Sequence, residues 1–202
     1  MLQFITDRLP GLEEVLRGGC RWVQLRMKYA ADEDITATGV CVATLCRRYG
    51  AKFIIDDRVD LVKGIGANGV HLGKQDMPVR EARAILGEGF IIGATANTLD
   101  DIRNAVAGGA DYIGLGPFRF TTTKKRLSPI LGLEGYSRIM EECRNEDIIL
   151  PVVAIGGIGS DDIPALMHTG ITGVAVSGSI LNSPSPEMMT KEILKKINTW
   201  KN

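Results

Sequence analysis

The groups in this chain that could do chemistry sit in a few short polar clusters at the ends of apolar runs. In Val23-Gln24-Leu25-Arg26-Met27-Lys28, alternation puts Gln24, Arg26 and Lys28 on one face of an extended segment, with Val23, Leu25 and Met27 on the other. Polar side chains aimed one way, two of them cationic, suit an anionic or polar ligand, because burying them unpaired is costly. A structural ladder of ion pairs with neighbouring carboxylates is the alternative. Two further runs end in carboxylates, Ile55-Asp56-Asp57-Arg58 and Gly73-Lys74-Gln75-Asp76. Brought together, Asp57 and Asp76 offer oxygen-only ligands, which suit Mg²⁺ better than zinc, and Mg²⁺ commonly takes one or two carboxylates plus substrate phosphates. Either residue could equally be a helix N-cap. The irregular stretch from Phe118 to Leu131 holds Thr121-Thr122-Thr123-Lys124-Lys125, which supplies hydroxyls, amides and cations to an oxyanion, or else forms a polar loop. Gly93-Ala94-Thr95-Ala96-Asn97-Thr98 adds a hydroxyl, and Thr98 also reads as the N-cap of a helix starting at Leu99. His71 and His168 read as core residues rather than catalysts. No GxSxG, HExxH or Ser/His/Asp set is present, which disfavours hydrolase chemistry; Lys28 and Lys124 leave a Schiff base conceivable.

These clusters need a scaffold, and the apolar runs supply one. Eight short runs recur: Leu2–Thr6, Trp22–Arg26, Phe53–Asp56, Gly69–Leu72, Phe90–Ala94, Tyr112–Gly116, Pro151–Ile155 and Gly173–Ser177. Helical periodicity fills the gaps over Asp32–Tyr49, Val79–Leu86, Leu99–Gly108, Leu133–Glu142, Asp161–Thr169 and Met188–Trp200. Strands alternating with helices predict a parallel sheet. An open doubly wound sheet would carry a glycine-rich phosphate loop after its first strand, and Thr6-Asp7-Arg8-Leu9-Pro10-Gly11 has none. Glycine-rich turns follow the last two strands instead, Ile155-Gly156-Gly157-Ile158 and Val176-Ser177-Gly178-Ser179, the usual phosphate loops of a (β/α)8 barrel. The prediction is a single α/β TIM barrel over residues 1–202, with reactive groups at the C-terminal strand ends.

Composition agrees. The chain has 202 residues, 45% of them hydrophobic, enough to bury one sizeable core. Lys plus Arg equals Asp plus Glu at 24 each, so no cationic excess argues for nucleic acid. No apolar run is long enough to span a bilayer, and the start meets charge too early for a signal peptide. Cys20, Cys41, Cys46 and Cys143 form no CxxC pair and read as reduced, mostly buried residues of a cytoplasmic protein.

Read jointly and in order, the segments QLRMK (24–28), IDDRVDL (55–61), GVHLGKQDMP (69–78), YIGLGP (112–117), TTTKK (121–125) and AIGGI (154–158) resemble the thiamine-phosphate synthase (thiamine-phosphate pyrophosphorylase) family over nearly the whole chain. The resemblance implies a (β/α)8 barrel that joins a pyrimidine diphosphate to a thiazole phosphate and releases pyrophosphate. It implies that Gln24, Leu25, Arg26, Met27, Lys28, Asp56 and Lys124 surround the pyrimidine and its diphosphate, with Thr95 touching the pyrimidine. Thr121, Thr122, Thr123, Gly157, Ser177 and Gly178 would hold the thiazole phosphate, Asp57 and Asp76 would bind Mg²⁺, and Arg26, Lys28 and Lys124 would act on the leaving group. Several positions depart from the family pattern. Asp56 stands where Asn is usual, adding a negative charge that a metal or Arg58 would have to offset. Met27 replaces Glu, Asn97 replaces His, Arg119-Phe120 replaces an aromatic-Pro pair, and Gly178-Ser179 replaces Ser-Ala. Three other readings stay open: a thiazole tautomerase-like isomerase, which would need a histidine after the sixth strand, another phosphate-binding barrel, and a catalytically silent paralogue that binds thiamine intermediates.

Overall fold

The computed structural model describes residues 1–120 and 129–199. Its strands are β1 (Leu2–Thr6), β2 (Trp22–Leu25), β3 (Lys52–Asp56), β4 (Gly69–Leu72), β5 (Ile91–Ala96), β6 (Tyr112–Leu115), β7 (Val152–Ile155) and β8 (Gly173–Val176). All pair in parallel and in chain order, and β8 returns to β1 through Leu2–Val174, Gln3–Ala175 and Phe4–Val176, closing the barrel. Closure leaves no strand edge unpaired. This is the (β/α)8 architecture that the alternation predicts.

The period of two along each strand sorts the side chains into two layers. One parity, including Phe4, Val23, Leu25, Phe53, Ile55, Val70 and Leu72, joins the large cluster between strands and helices. The other parity puts Ile5, Tyr112, Val153 and Ala175 into a small separate cluster inside the barrel, with Trp22, Ile91 and Ile155 packed on it. Each fully buried Leu, Ile or Phe contributes about 1.5–3 kcal/mol, so the outer layer holds the barrel together while the inner one shapes the floor of its mouth. Tyr112 fills that floor only because Gly93 on the next strand lacks a side chain: a Cβ there would lie 2.1 Å from the phenol Cζ.

The helices are α1 (Leu12–Arg17), α2 (Asp32–Arg48), α3 (Val79–Leu86), α4 (Leu99–Gly108), α5 (Gly132–Asn145), α6 (Ile163–His168), α7 (Gly178–Leu181) and α8 (Pro186–Thr199). Periodicity missed α1 and α7, which span six and four residues, too short to display a repeat. Between β3 and β4 a single 3-10 turn, Val59–Leu61, takes the place of a helix. The expected N-cap of α4 is present as a capping box: Asp101 N–H donates to Thr98 Oγ1 (3.2 Å) and Thr98 N–H to Asp101 Oδ2 (3.1 Å).

Some boundaries shift. β2 stops at Leu25, although Arg26 N–H still donates to Thr6 O at 2.8 Å, so Arg26 leaves the sheet at the strand's C-terminal end. β5 runs on to Ala96, which places Thr95 within the strand rather than after it. His168 is exposed, its Nδ1 paired with Pro164 O at 2.8 Å, and is not the core residue expected. Cys20, Cys46 and Cys143 are buried and Cys41 exposed, all with free thiols; burial pushes Cys20 up to about 11 and Cys46 to about 12. Among the described residues no helix is long and apolar enough to cross a membrane.

Candidate active site

Parallel register gathers the charged residues. β2 pairs with β3 through Leu25–Ile55, and β3 with β4 through Asp56–His71, so the residues just past these pairs emerge side by side. Arg26 Nε lies 3.2 Å from Asp56 Oδ2. Lys28 Nζ lies 2.6 Å from Asp57 Oδ2, 3.9 Å from Asp56 Oδ2 and 4.0 Å from Asp76 Oδ2. Two cations and three carboxylates from three strand ends therefore form one cluster, and the Asp56 side chain is only 7% exposed. Of the two alternatives for offsetting Asp56, Arg58 does not do so: its guanidinium turns outward to Asp32 and Asp60. Arg26 and Lys28 do so instead, because they leave the adjacent strand on the same face.

Local backbone geometry places the carboxylates. Asp57 has φ +65°, a left-handed conformation that Asp tolerates better than most residues. Its N–H donates to His71 O at 2.9 Å, ending the β3–β4 ladder and swinging the side chain over Lys28. Asp76 accepts from Gly73 N–H at 2.6 Å, closing the turn that follows β4. Neither residue is a helix N-cap, since Arg58 precedes the 3-10 turn and Pro78 caps α3.

The charges interact strongly. Burial, a hydrogen bond with Asp76 and the field of Asp56 raise Asp57 to about 7, against the pull of Lys28. Burial opposes ionisation of Asp76 as well, but hydrogen bonds from Asp57 and Gly73 N–H, with Lys28, hold it below the usual carboxylate range. Burial disfavours the Lys28 charge, yet the Asp57 hydrogen bond and the three carboxylates outweigh it and raise its pKa. The cluster thus has one negative charge more than its cations offset when all groups ionise. Asp57 Oδ1 is buried with no hydrogen-bond donor among the described residues. Two adjacent carboxylates carrying an excess negative charge fit a hard divalent cation. Among the described residues no group of three or more His, Cys, Asp or Glu side chains forms a ready-made metal cage.

A second, neutral network lies beneath. Gln3 Nε2 donates to Tyr112 OH (3.1 Å), which is 3.0 Å from His71 Nδ1, while His71 Nε2 is 3.0 Å from Thr95 Oγ1. Gln24, on the same inward parity, is buried and turns its side-chain amide toward the Tyr112 phenol. Gln24 and Thr95 therefore face one interior beside the charged cluster. His71 is buried and hydrogen-bonded, as its flanking residues suggested. Sequence reasoning missed Gln3 and Tyr112; the available signal was parity, since both share the inward face of their strands with residues of the small inner cluster. Leu25 belongs to the outer core and, with Met27, Ala30 and Ile35, forms the apolar part of a recess whose charged part is Lys28, Asp56, Asp57 and Arg58.

Across the mouth, the loops after β6 and β7 interlock. Phe118 N–H donates to Ile155 O (2.9 Å) and Arg119 N–H to Gly156 O (3.1 Å). Arg119 stacks over Phe118 (4.8 Å to the ring centroid) and forks onto Asp162 at 2.7 and 2.8 Å. Gly157 has φ +68°, and a Cβ there would meet Arg119 Cγ at 2.5 Å, so the turn requires glycine twice over. Ser177 precedes α7 directly, leaving Gly178 as its first residue. Asn97, where a histidine was noted as usual, is buried and donates through Nδ2 to Gly116 O, bracing β5 against β6. Thr121, Thr122, Thr123 and Lys124 lie outside the described residues.

The thiamine monophosphate synthase family profile matches residues 2–180. A thiamine-phosphate synthase of Phocaeicola vulgatus is 59% identical over 199 residues, covering 96% of each chain. One from Bacteroides fragilis is 53% identical over 199 residues, covering 96% of this chain and 98% of its own. Among solved structures, a thiamine phosphate pyrophosphorylase of Pyrococcus furiosus superposes with a TM-score of 0.88 at 33% identity, over 100% of this chain and 96% of that one. With the barrel, the clustered strand ends and relatives matched from end to end, this chain belongs to the thiamine monophosphate synthase family.

Proposed function

We propose that the protein transfers a pyrimidinylmethyl group from its diphosphate to the ring nitrogen of a thiazole phosphate, giving thiamine phosphate and pyrophosphate. The observation that carries this reading is the convergence of Arg26, Lys28, Asp56, Asp57 and Asp76 through contacts no longer than 4.0 Å at the C-terminal end of the barrel. A diphosphate near neutral pH carries roughly three negative charges. Arg26, Lys28 and Lys124 would hold its oxygens, and Asp57 with Asp76 would hold Mg²⁺. That ion, when bound, offsets charge on the departing pyrophosphate. Gln24 and Thr95 would orient the pyrimidine, and Gly157, Ser177, Gly178 and Thr121 to Thr123 the thiazole phosphate.

In this reading the methylene C–O bond breaks first, the electron pair leaves with pyrophosphate, and the ring amino group stabilises the methylene cation. The thiazole nitrogen, which carries no proton, then closes the new C–N bond. No general base is required, and His71, bound on both ring nitrogens, is not placed as one. Catalysis rests on stabilising the leaving group and on positioning. In this reading the protein works in the cytoplasm, and its free cysteines suit a reducing compartment. Incubation with both substrates and Mg²⁺ should yield thiamine phosphate and pyrophosphate in equal amounts. Binding of both substrates without either product would overturn the reading.

A further inference from the structure

We infer that Tyr112 and His71 are positioning residues that fix the Thr95 hydroxyl as a hydrogen-bond donor toward the barrel mouth, where it selects an acceptor nitrogen of the pyrimidine ring rather than the exocyclic amino group. This rests on the reading that the pyrimidine meets Thr95.

The direction of the chain follows from donor and acceptor inventory. Gln3 Nε2 can only donate, so the Tyr112 oxygen is an acceptor toward it (3.1 Å). Tyr112 is wholly buried, and its own hydrogen needs an acceptor; His71 Nδ1, 3.0 Å away, provides one. A phenol that donates to Nδ1 leaves the ring proton on Nε2, which then donates to Thr95 Oγ1 at 3.0 Å. Thr95 has spent its inward lone pair as an acceptor, so its hydrogen must point elsewhere. Thr95 is partly open to solvent while His71 and Tyr112 are sealed, so the free direction is the mouth. The inner packing holds this arrangement in place: Trp22 meets Tyr112 edge-on at 4.6 Å, and the Gly93 backbone lies against the phenol ring.

Replacing Tyr112 by Phe removes the donor to Nδ1. The imidazole proton can then settle on Nδ1, and Nε2 becomes an acceptor for the Thr95 hydroxyl. Thr95 would turn a lone pair to the mouth and repel the ring nitrogen it formerly bound. Polar sites reject ligands lacking a matching group far more sharply than apolar sites do.

Two measurements test this. Inhibition constants for pyrimidine monophosphates in which each ring nitrogen is replaced in turn by CH report binding without chemistry. In the wild-type enzyme one of these analogues should bind about tenfold or more weakly than the parent. The penalty should collapse in Tyr112→Phe and Thr95→Val and persist in Thr95→Ser, with KM for the thiazole phosphate unchanged. Equal binding of both analogues by the wild type, or an undiminished penalty in Tyr112→Phe, overturns the inference. ¹⁵N NMR of the intact wild-type protein gives the second readout, which needs no variant and no turnover; with only two histidines the assignment is direct. An unprotonated Nδ1 and a protonated Nε2 at His71 are expected, and a proton on Nδ1 overturns the relay. Failure of the wild type to couple its substrates would count against the proposed function alone, because the ¹⁵N result is independent of it.

Discussion

The raised pKa of Asp57 predicts that the ligand-free protein loses stability as pH rises. The folded state holds the Asp57 proton up to about 7, whereas the unfolded chain releases it near 3.8. Between those values the folded state binds more protons, so stability falls with increasing pH and is lost by the time pH passes the folded pKa. A gap of about 3 pH units corresponds to about 4 kcal/mol as a ceiling. Asp57 is partly open to solvent and shares its proton with Asp76, which reduces the expectation to about 1–2 kcal/mol between pH 5 and 8. For a chain of this length that is roughly 2–8 °C in Tm. Asp76 does not blur the comparison, because its pKa is lowered and its contribution changes only at more acidic pH. The assay is urea denaturation in EDTA from pH 5 to pH 8, on the wild type and on Asp57→Asn. The wild type should lose stability across the interval and the variant should lose much less. Added Mg²⁺ should stabilise the wild type more at pH 8 than at pH 5, since ion and proton compete for one carboxylate. Parallel pH profiles for the two proteins would refute the argument that crowded carboxylates raise Asp57.

Arg26→Ala and Lys124→Ala should each lower turnover about 10²–10³-fold with the fold intact by circular dichroism; near-normal rates in both would remove the diphosphate assignment. Asp56→Asn should leave turnover unchanged or faster, because it releases Arg26 from a 3.2 Å ion pair, while costing about 1–3 kcal/mol of stability in denaturation. A collapse in its turnover would show that the carboxylate itself is used. Gly157→Ala should destabilise the fold by about 1–3 kcal/mol, from the left-handed backbone and the clash with Arg119, and raise KM for the thiazole phosphate without raising it for the pyrimidine.

Much of this was legible in the sequence because barrel physics is periodic. Alternation in QLRMK correctly separates Leu25, which joins the outer core, from Gln24, which faces the interior. The glycines after β7 and the carboxylates after β3 and β4 sit where a (β/α)8 barrel keeps its chemistry. What was not legible depends on neighbours in space. The partner of Asp56 is set by the register of β2 on β3, so the nearby Arg58 was a natural choice and the wrong one. His71 reads as a core residue, but its link from Tyr112 to Thr95 joins strands 24 and 41 residues apart in sequence. α1 and α7 escaped notice because each has fewer than two turns, too few to show a repeat.

The most direct test of the central claim is calorimetric binding of inorganic pyrophosphate to the wild-type protein, with and without Mg²⁺. The cluster of Arg26, Lys28, Asp57 and Asp76 predicts tight binding with Mg²⁺ and at least tenfold weaker binding without it, a difference lost in Asp57→Asn. Pyrophosphate that fails to bind, or binds equally well in EDTA, would contradict it.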